Sequence, residues 1–175
     1  MIENNIPKVF ISYSWESKEH SDWVKSLADK LLADGILQSR YFEDLKNSWK
    51  DLDIAVVGIG DFSNKGKHQW LDMLTEDDFK ELTKVKTVGE ICCRFFDSKG
   101  KEVYENLQER TIAISLEDLK NIPKSLAVAY GDTKVSSILS VLRANLVNHL
   151  IIDKNTILKV LEEDGDFSFR NILCE

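Results

Sequence analysis

Between Ser125 and Glu163 the apolar residues change their spacing repeatedly, and this alternation restricts the fold more than any other stretch of the chain. Ser125 to Ala129 is a run of strand length, and Tyr130-Gly-Asp-Thr-Lys134 is a turn. Asp132 to Arg143 then carries Val135, Ile138, Leu139 and Leu142 at helical spacing. His149 to Ile152 is a further strand, Asp153 a cap, and Thr156 to Glu163 a closing helix. Strands that alternate with helices build a parallel sheet, because each helix returns the chain to the end where the previous strand began.

The same alternation runs back to Ile54. Ile54-Ala-Val-Val57 is a buried-type strand that ends in Gly58-Ile-Gly60, and a polar loop through Asn64, Lys65, Gly66 and Lys67 leads to a helix over Thr75–Lys84. Val88 to Phe96 reads as one strand, with Asp97-Ser-Lys-Gly100 as a hairpin corner before Val103. Arg110 to Ile114 reads as another strand. Ser115-Leu-Glu-Asp118 has the spacing of a capping box for a short helix that Pro123 ends. The expected fold class is α/β: a three-layer, mostly parallel, Rossmann-like sheet with helices on both faces.

Bulk properties exclude several function classes. The 175 residues carry a net charge of −7, and no basic run could neutralise a nucleic-acid backbone, so direct DNA or RNA binding is not expected. The 43% hydrophobic content suits a soluble globular domain, and no apolar run approaches the roughly 20 residues that span a bilayer. Met1 to Pro7 lacks the apolar core of a signal peptide, so a cytoplasmic location and no membrane partner are expected. Cys92 and Cys93, adjacent in the expected strand, should point to opposite faces and serve as small apolar residues. Neither a metal site nor a cofactor is expected.

In parallel sheets, ligands bind beyond the carboxyl ends of the strands. Gly58 and Gly60 follow one buried strand, where backbone amides can approach an anion without a Cβ in the way. Gly131 ends another strand, and Lys134 lies in the first turn of the next helix, where a cation serves a bound phosphate better than it serves the helix dipole. Glu90, flanked by apolar residues, needs a partner: sugar hydroxyls, or a salt bridge to Arg94 or Arg110. Trp15, Trp49 and Trp70 could belong to an interaction surface or to the core. His20, His68 and His149 show no catalytic setting.

Residues 8–36 form a strand–helix unit in which Trp23, Val24, Leu27, Ala28, Leu31 and Leu32 share one helical face, with Gly35 as a stop. The string Pro7-Lys-Val-Phe-Ile-Ser-Tyr-Ser-Trp15 followed by this helix resembles the opening of a TIR or SEFIR domain. The later TIR motifs are absent from the sequence, so no NAD-cleaving activity is carried over.

The remainder resembles the sugar-binding effector domain of SorC/DeoR-type transcriptional regulators, a fold related to sugar-phosphate isomerases. The strings that carry this run in order from Asp53-Ile-Ala-Val-Val-Gly-Ile-Gly60 through Thr87-Val-Gly-Glu-Ile91 and Phe95-Phe-Asp-Ser-Lys-Gly100. They continue through Arg110-Thr-Ile-Ala-Ile-Ser-Leu-Glu-Asp-Leu119 and Ala127-Val-Ala-Tyr-Gly131 with Lys134 to Leu150-Ile-Ile-Asp153. The resemblance implies that Lys134 contacts a ligand phosphate and Glu90 a sugar hydroxyl. Family members usually have two glycines before the lysine, whereas this chain has Tyr130-Gly131. They also carry a helix-turn-helix and a further half of the sensing domain that this sequence lacks.

The implied organisation is a TIR/SEFIR-like fragment over 1–40, a partial sugar-binding domain over 41–165 and a tail over 166–175. The expected function is non-catalytic, regulatory binding of a sugar phosphate at Gly58, Gly60, Glu90, Gly131 and Lys134, in a chain that could pair with itself or with a TIR partner. The alternatives are a TIR-type NAD-related or defence-signalling protein, or a fused remnant without intact ligand binding.

Overall fold

The computed structural model describes residues 39–62, 74–109 and 111–168. The TIR-like strand–helix over 8–36, and with it the question of whether Val9–Tyr13 joins the main sheet, lies outside the described residues. So do the polar loop through Asn64–Lys67, Trp15, Trp70, His20, His68, Arg110 and Cys174.

Helix α1 (Arg40–Lys50) begins at Ser39, whose side chain accepts the Phe42 amide. Strand β1 (Ile54–Gly58) leads directly into the short β2 (Gly60–Asp61). Helix α2 (Glu76–Lys84) opens with a full capping box between Thr75 and Asp78, so two otherwise orphaned backbone groups are paired at once. There follow β3 (Gly89–Ile91), β4 (Arg94–Phe96), α3 (Glu105–Glu109) and α4 (Leu116–Asn121), the last capped by Ser115. The closing unit is β5 (Lys124–Ala129), a 3-10 turn (Asp132–Lys134), α5 (Val135–Arg143), β6 (His149–Ile152) and α6 (Lys154–Asp164), capped by Asp153.

Two sheets result. The larger is parallel, ordered β1-β5-β6, with Ile54 opposite Lys124 and Leu126 opposite His149. The smaller is antiparallel, ordered β2-β3-β4, with Gly60 opposite Glu90. Ala55 and Val57 of β1, Ala127 and Ala129 of β5 and Leu150 and Ile152 of β6 face one core with Phe96, Leu119, Ile138, Val141 and Val160. Burying a side chain the size of Ile138 or Phe96 contributes about 1.5–3 kcal/mol, so this shared cluster is what binds the two sheets and helices α4 to α6 together.

The mixed α/β architecture with a parallel sheet is as the sequence predicts. No described residue covers the opposite face of that sheet, where Ile54, Val56, Val128 and Ile151 remain 58%, 67%, 44% and 55% exposed. Parallel sheets are ordinarily covered on both faces.

Three local expectations are corrected. Cys92 and Cys93 are not strand residues; they form the two-residue turn between β3 and β4, with φ of +53° and +60°. Such mirror-image turns match the twist of a hairpin, but Asn-Gly is their usual sequence, so the two cysteines give no cue. Thr111 to Ile114 is not a strand, because its carbonyls turn onto Arg94 instead of a neighbouring strand. The buried Arg94 donates to Ile114 O at 3.2 Å, Thr111 O at 3.3 Å and Ala113 O at 2.6 Å, and also to Gln108 O at 3.3 Å. Finally, the helix expected from Asp132 starts as a 3-10 turn and becomes α-helical only at Val135. The Asp97–Gly100 corner is present, with Asp97 Oδ1 accepting the amides of Lys99 and Lys101.

Candidate ligand-binding site

β1 and β5 are neighbours and parallel, so their carboxyl ends open on the same edge of the sheet. Gly58 ends β1, Gly60 opens β2, and Gly131 follows β5 by two residues. Gly60 pairs with Glu90, which brings the half-buried Glu90 carboxyl to the same edge. A Cβ on Gly60 would lie 2.2 Å from Glu90 Oε1, so a side chain there would have to displace the Glu90 carboxyl.

Two different influences act on Glu90. Burial pushes its carboxyl above the ordinary range; the Cys93 amide, donating to Oε2 at 3.0 Å, and the charge of Lys134 pull it back down. The salt bridge to Arg94 expected as one way of pairing Glu90 is not formed: Arg94 pairs with Glu102 at 3.2 Å. The cation whose charge acts on Glu90 is therefore Lys134, not an arginine.

Lys134 is the one half-buried lysine among the described residues whose ammonium has no hydrogen bond or ion pair. Its neighbour Asp132 is drawn away to Lys159 on α6. The Lys134 ammonium lies 6.0 Å from the centre of the Tyr130 ring, at the limit of a cation–π contact. Its own amide donates to Gly131 O at 3.1 Å, so what Lys134 offers an anion is its side chain.

Gly131 has φ of +105°, a region that side-chain-bearing residues avoid, and its amide donates to Thr156 Oγ1 at 2.9 Å. That amide is therefore already engaged within the protein. Thr156 in turn donates to Asp153 Oδ2 at 2.5 Å, and Asp153 caps α6. Sequence reasoning missed Thr156 as the support of this turn; its signal was a threonine three residues after the helix cap Asp153. It also missed Ser137, buried on α5, whose hydroxyl donates to Val88 O at 2.7 Å and fixes the strand that carries Glu90.

The two turn cysteines do not join in chemistry here. Burial pushes both thiols up, Cys93 to about 11, which keeps them protonated and poorly nucleophilic at neutral pH. Trp49 is half-buried and packs edge-on against Phe42, with ring centres 6.3 Å apart. His149 is exposed on its strand, hydrogen-bonded to Asn148 at 2.6 Å.

Residues 25–162 match the family model described as "Putative sugar-binding domain". The chain belongs to this family. The family match includes Leu27–Leu32 as well as all the candidate site residues; the TIR/SEFIR resemblance has no counterpart in it. Among curated proteins the chain is 31% identical over 136 residues to the sorbitol operon regulator of Klebsiella pneumoniae, covering 78% of the chain and 43% of that protein. It is 36% identical over 119 residues to the deoxyribonucleoside regulator of Bacillus subtilis, covering 68% of the chain and 38% of that protein.

Solved structures of sugar-binding-domain relatives agree. A transcriptional regulator from Streptococcus pneumoniae TIGR4 superposes with a TM-score of 0.73 at 98% identity, over 78% of this chain and 52% of that one. The full-length sorbitol operon regulator SorC from Klebsiella pneumoniae gives a TM-score of 0.64 at 30% identity, over 74% of this chain and 42% of that one. The chain thus spans about half, or less, of the length of these relatives. The Rossmann-like fold of the domain is shared with them.

Proposed function

We propose that the chain is a non-catalytic regulatory module that binds a phosphorylated sugar at the carboxyl edge of the β1-β5-β6 sheet. The observation that carries this reading is Lys134, a half-buried ammonium that has no hydrogen bond or ion pair among the described residues and whose charge acts on the half-buried carboxyl of Glu90. A phosphate would supply the charge that Lys134 lacks, and sugar hydroxyls would supply donors for Glu90. Gly60 leaves room for the Glu90 carboxyl, and Gly131, held by Thr156, leaves the space beyond β5 free of a Cβ. The relatives support the class of ligand: they are regulators named for sorbitol and for deoxyribonucleosides.

Binding is read by titration calorimetry of the full chain against a panel of sugar phosphates. At least one should bind, and Lys134→Ala should weaken it ten-fold or more. Absence of binding across the panel overturns the reading. Release of nicotinamide from NAD would overturn its non-catalytic part and favour the TIR-like alternative. Self-association, expected for a regulatory module, is tested by sedimentation with and without the ligand that binds.

A further inference from the structure

We infer that Tyr130 is a stacking platform that makes this site select phosphates carried on a closed sugar ring; the inference rests on the sugar-phosphate reading above. Tyr130 follows the last residue of β5, the central strand of the parallel sheet, and so projects at the edge where Gly58, Glu90 and Gly131 meet. Its ring is 73% exposed and belongs to neither hydrophobic cluster. Among the described residues its hydroxyl has no hydrogen-bond partner, so neither packing nor hydrogen bonding accounts for the ring.

A lone exposed aromatic is ordinary on a protein surface. This one differs in its neighbour. The Lys134 ammonium lies over the ring, 6.0 Å from its centre, so an anion held by that cation is within one ligand's length of the ring. A phosphate held by Lys134 brings whatever carries it alongside Tyr130. A closed sugar ring presents a flat array of C–H bonds that covers an aromatic face and removes apolar surface from water. A flexible acyclic carrier would have to freeze several torsions to do the same.

Gly131, next along, carries no side chain, and a Cβ built there meets nothing within 4 Å, so the backbone beside the ring is open.

The test is calorimetry of the full chain with four probes: glucose 6-phosphate, ribose 5-phosphate, glycerol 3-phosphate and inorganic phosphate. The wild-type chain should bind a ring phosphate at least ten-fold more tightly than glycerol 3-phosphate. Tyr130→Ala should abolish that margin while leaving the weaker glycerol 3-phosphate affinity unchanged, and Tyr130→Phe should keep it. Lys134→Ala should weaken every phosphate alike. Equal wild-type affinity for ring and acyclic phosphates, or an unchanged margin in Tyr130→Ala, overturns the stacking role and leaves the phosphate site standing. No binding of any probe by the wild-type chain overturns the site itself, and the platform with it. Circular dichroism of each variant confirms that loss of binding is not loss of fold.

Discussion

The Glu90 carboxyl fills the space that a side chain on Gly60 would need, since a Cβ there would stand 2.2 Å from Oε1. The obstacle is the end of a flexible side chain, not backbone, so Glu90 can swing away at modest cost. Gly60→Ala should therefore fold, with a stability loss of about 1 kcal/mol, typical of a single substitution. Binding of the sugar phosphate should fall ten-fold or more, because the displaced carboxyl no longer faces the site. Wild-type affinity in Gly60→Ala would show that the seat of Glu90 is irrelevant to the ligand.

The same carboxyl makes stability depend on pH. Burial raises its folded-state pKa above the unfolded value, so folding favours the protonated form. Its contribution is complete below the unfolded carboxyl pKa and is lost as pH rises through the raised folded value. Glu90→Gln, which keeps an oxygen to accept the Cys93 amide, should be more stable than wild type at neutral pH and show no advantage at pH 4. Urea midpoints of both proteins across that range provide the check, and a pH-independent difference would contradict the argument.

Arg94 is predicted to be the costliest polar residue to remove. Its guanidinium holds four carbonyls of the segment between Gln108 and Ile114 and pairs with Glu102, all at a largely buried position. Arg94→Leu leaves Glu102 and those carbonyls without their partner and should destabilise by about 3–5 kcal/mol. Denaturant titration reads this directly, and a loss under 1 kcal/mol would mean that water takes over the contacts.

Thr156→Val removes the acceptor of the Gly131 amide while preserving shape. The expected cost is about 1–3 kcal/mol, with faster exchange of the Gly131 amide hydrogen; Thr156→Ser should behave as wild type. Unchanged exchange in Thr156→Val would remove the hydroxyl from its supporting role.

At the β3–β4 turn the left-handed backbone of Cys93 can be probed by two opposite substitutions. Cys93→Gly should equal or exceed wild type in stability, whereas the β-branched Cys93→Val should fall about 1–2 kcal/mol below Cys93→Gly. Thermal melts of the pair decide it; equal melting temperatures would argue that the turn relaxes.

What could be read from the sequence was whatever is encoded within about ten residues. β5, α5, β6 and α6 announce themselves by spacing, and Ser115 and Asp153 are caps by the rule of short side-chain acceptors. Thr111 to Ile114 has the composition of a strand, but its carbonyls answer to Arg94, up to 20 residues away. Cys92 and Cys93 look like strand interior because nothing in a thiol foretells a positive φ. The site divides in the same way. Gly58 and Gly131 lie at one edge because β1 and β5 run parallel, whereas Glu90 is brought there by the antiparallel pairing with Gly60, and the hydrogen bond from Gly131 to Thr156 spans 25 residues and leaves no local trace.

The pairing of Ile54 with Lys124 also bears on how the chain is made. β1 leaves the ribosome 70 residues before the strand it needs, which at roughly 5–20 residues per second is a wait of several seconds. During that interval, among the described residues, Ala55 and Val57 lack the neighbouring strand and the core that they later face. A nascent chain paused within α4 would display them to chaperones, so synthesis rate between β1 and β5 should influence the yield of folded protein.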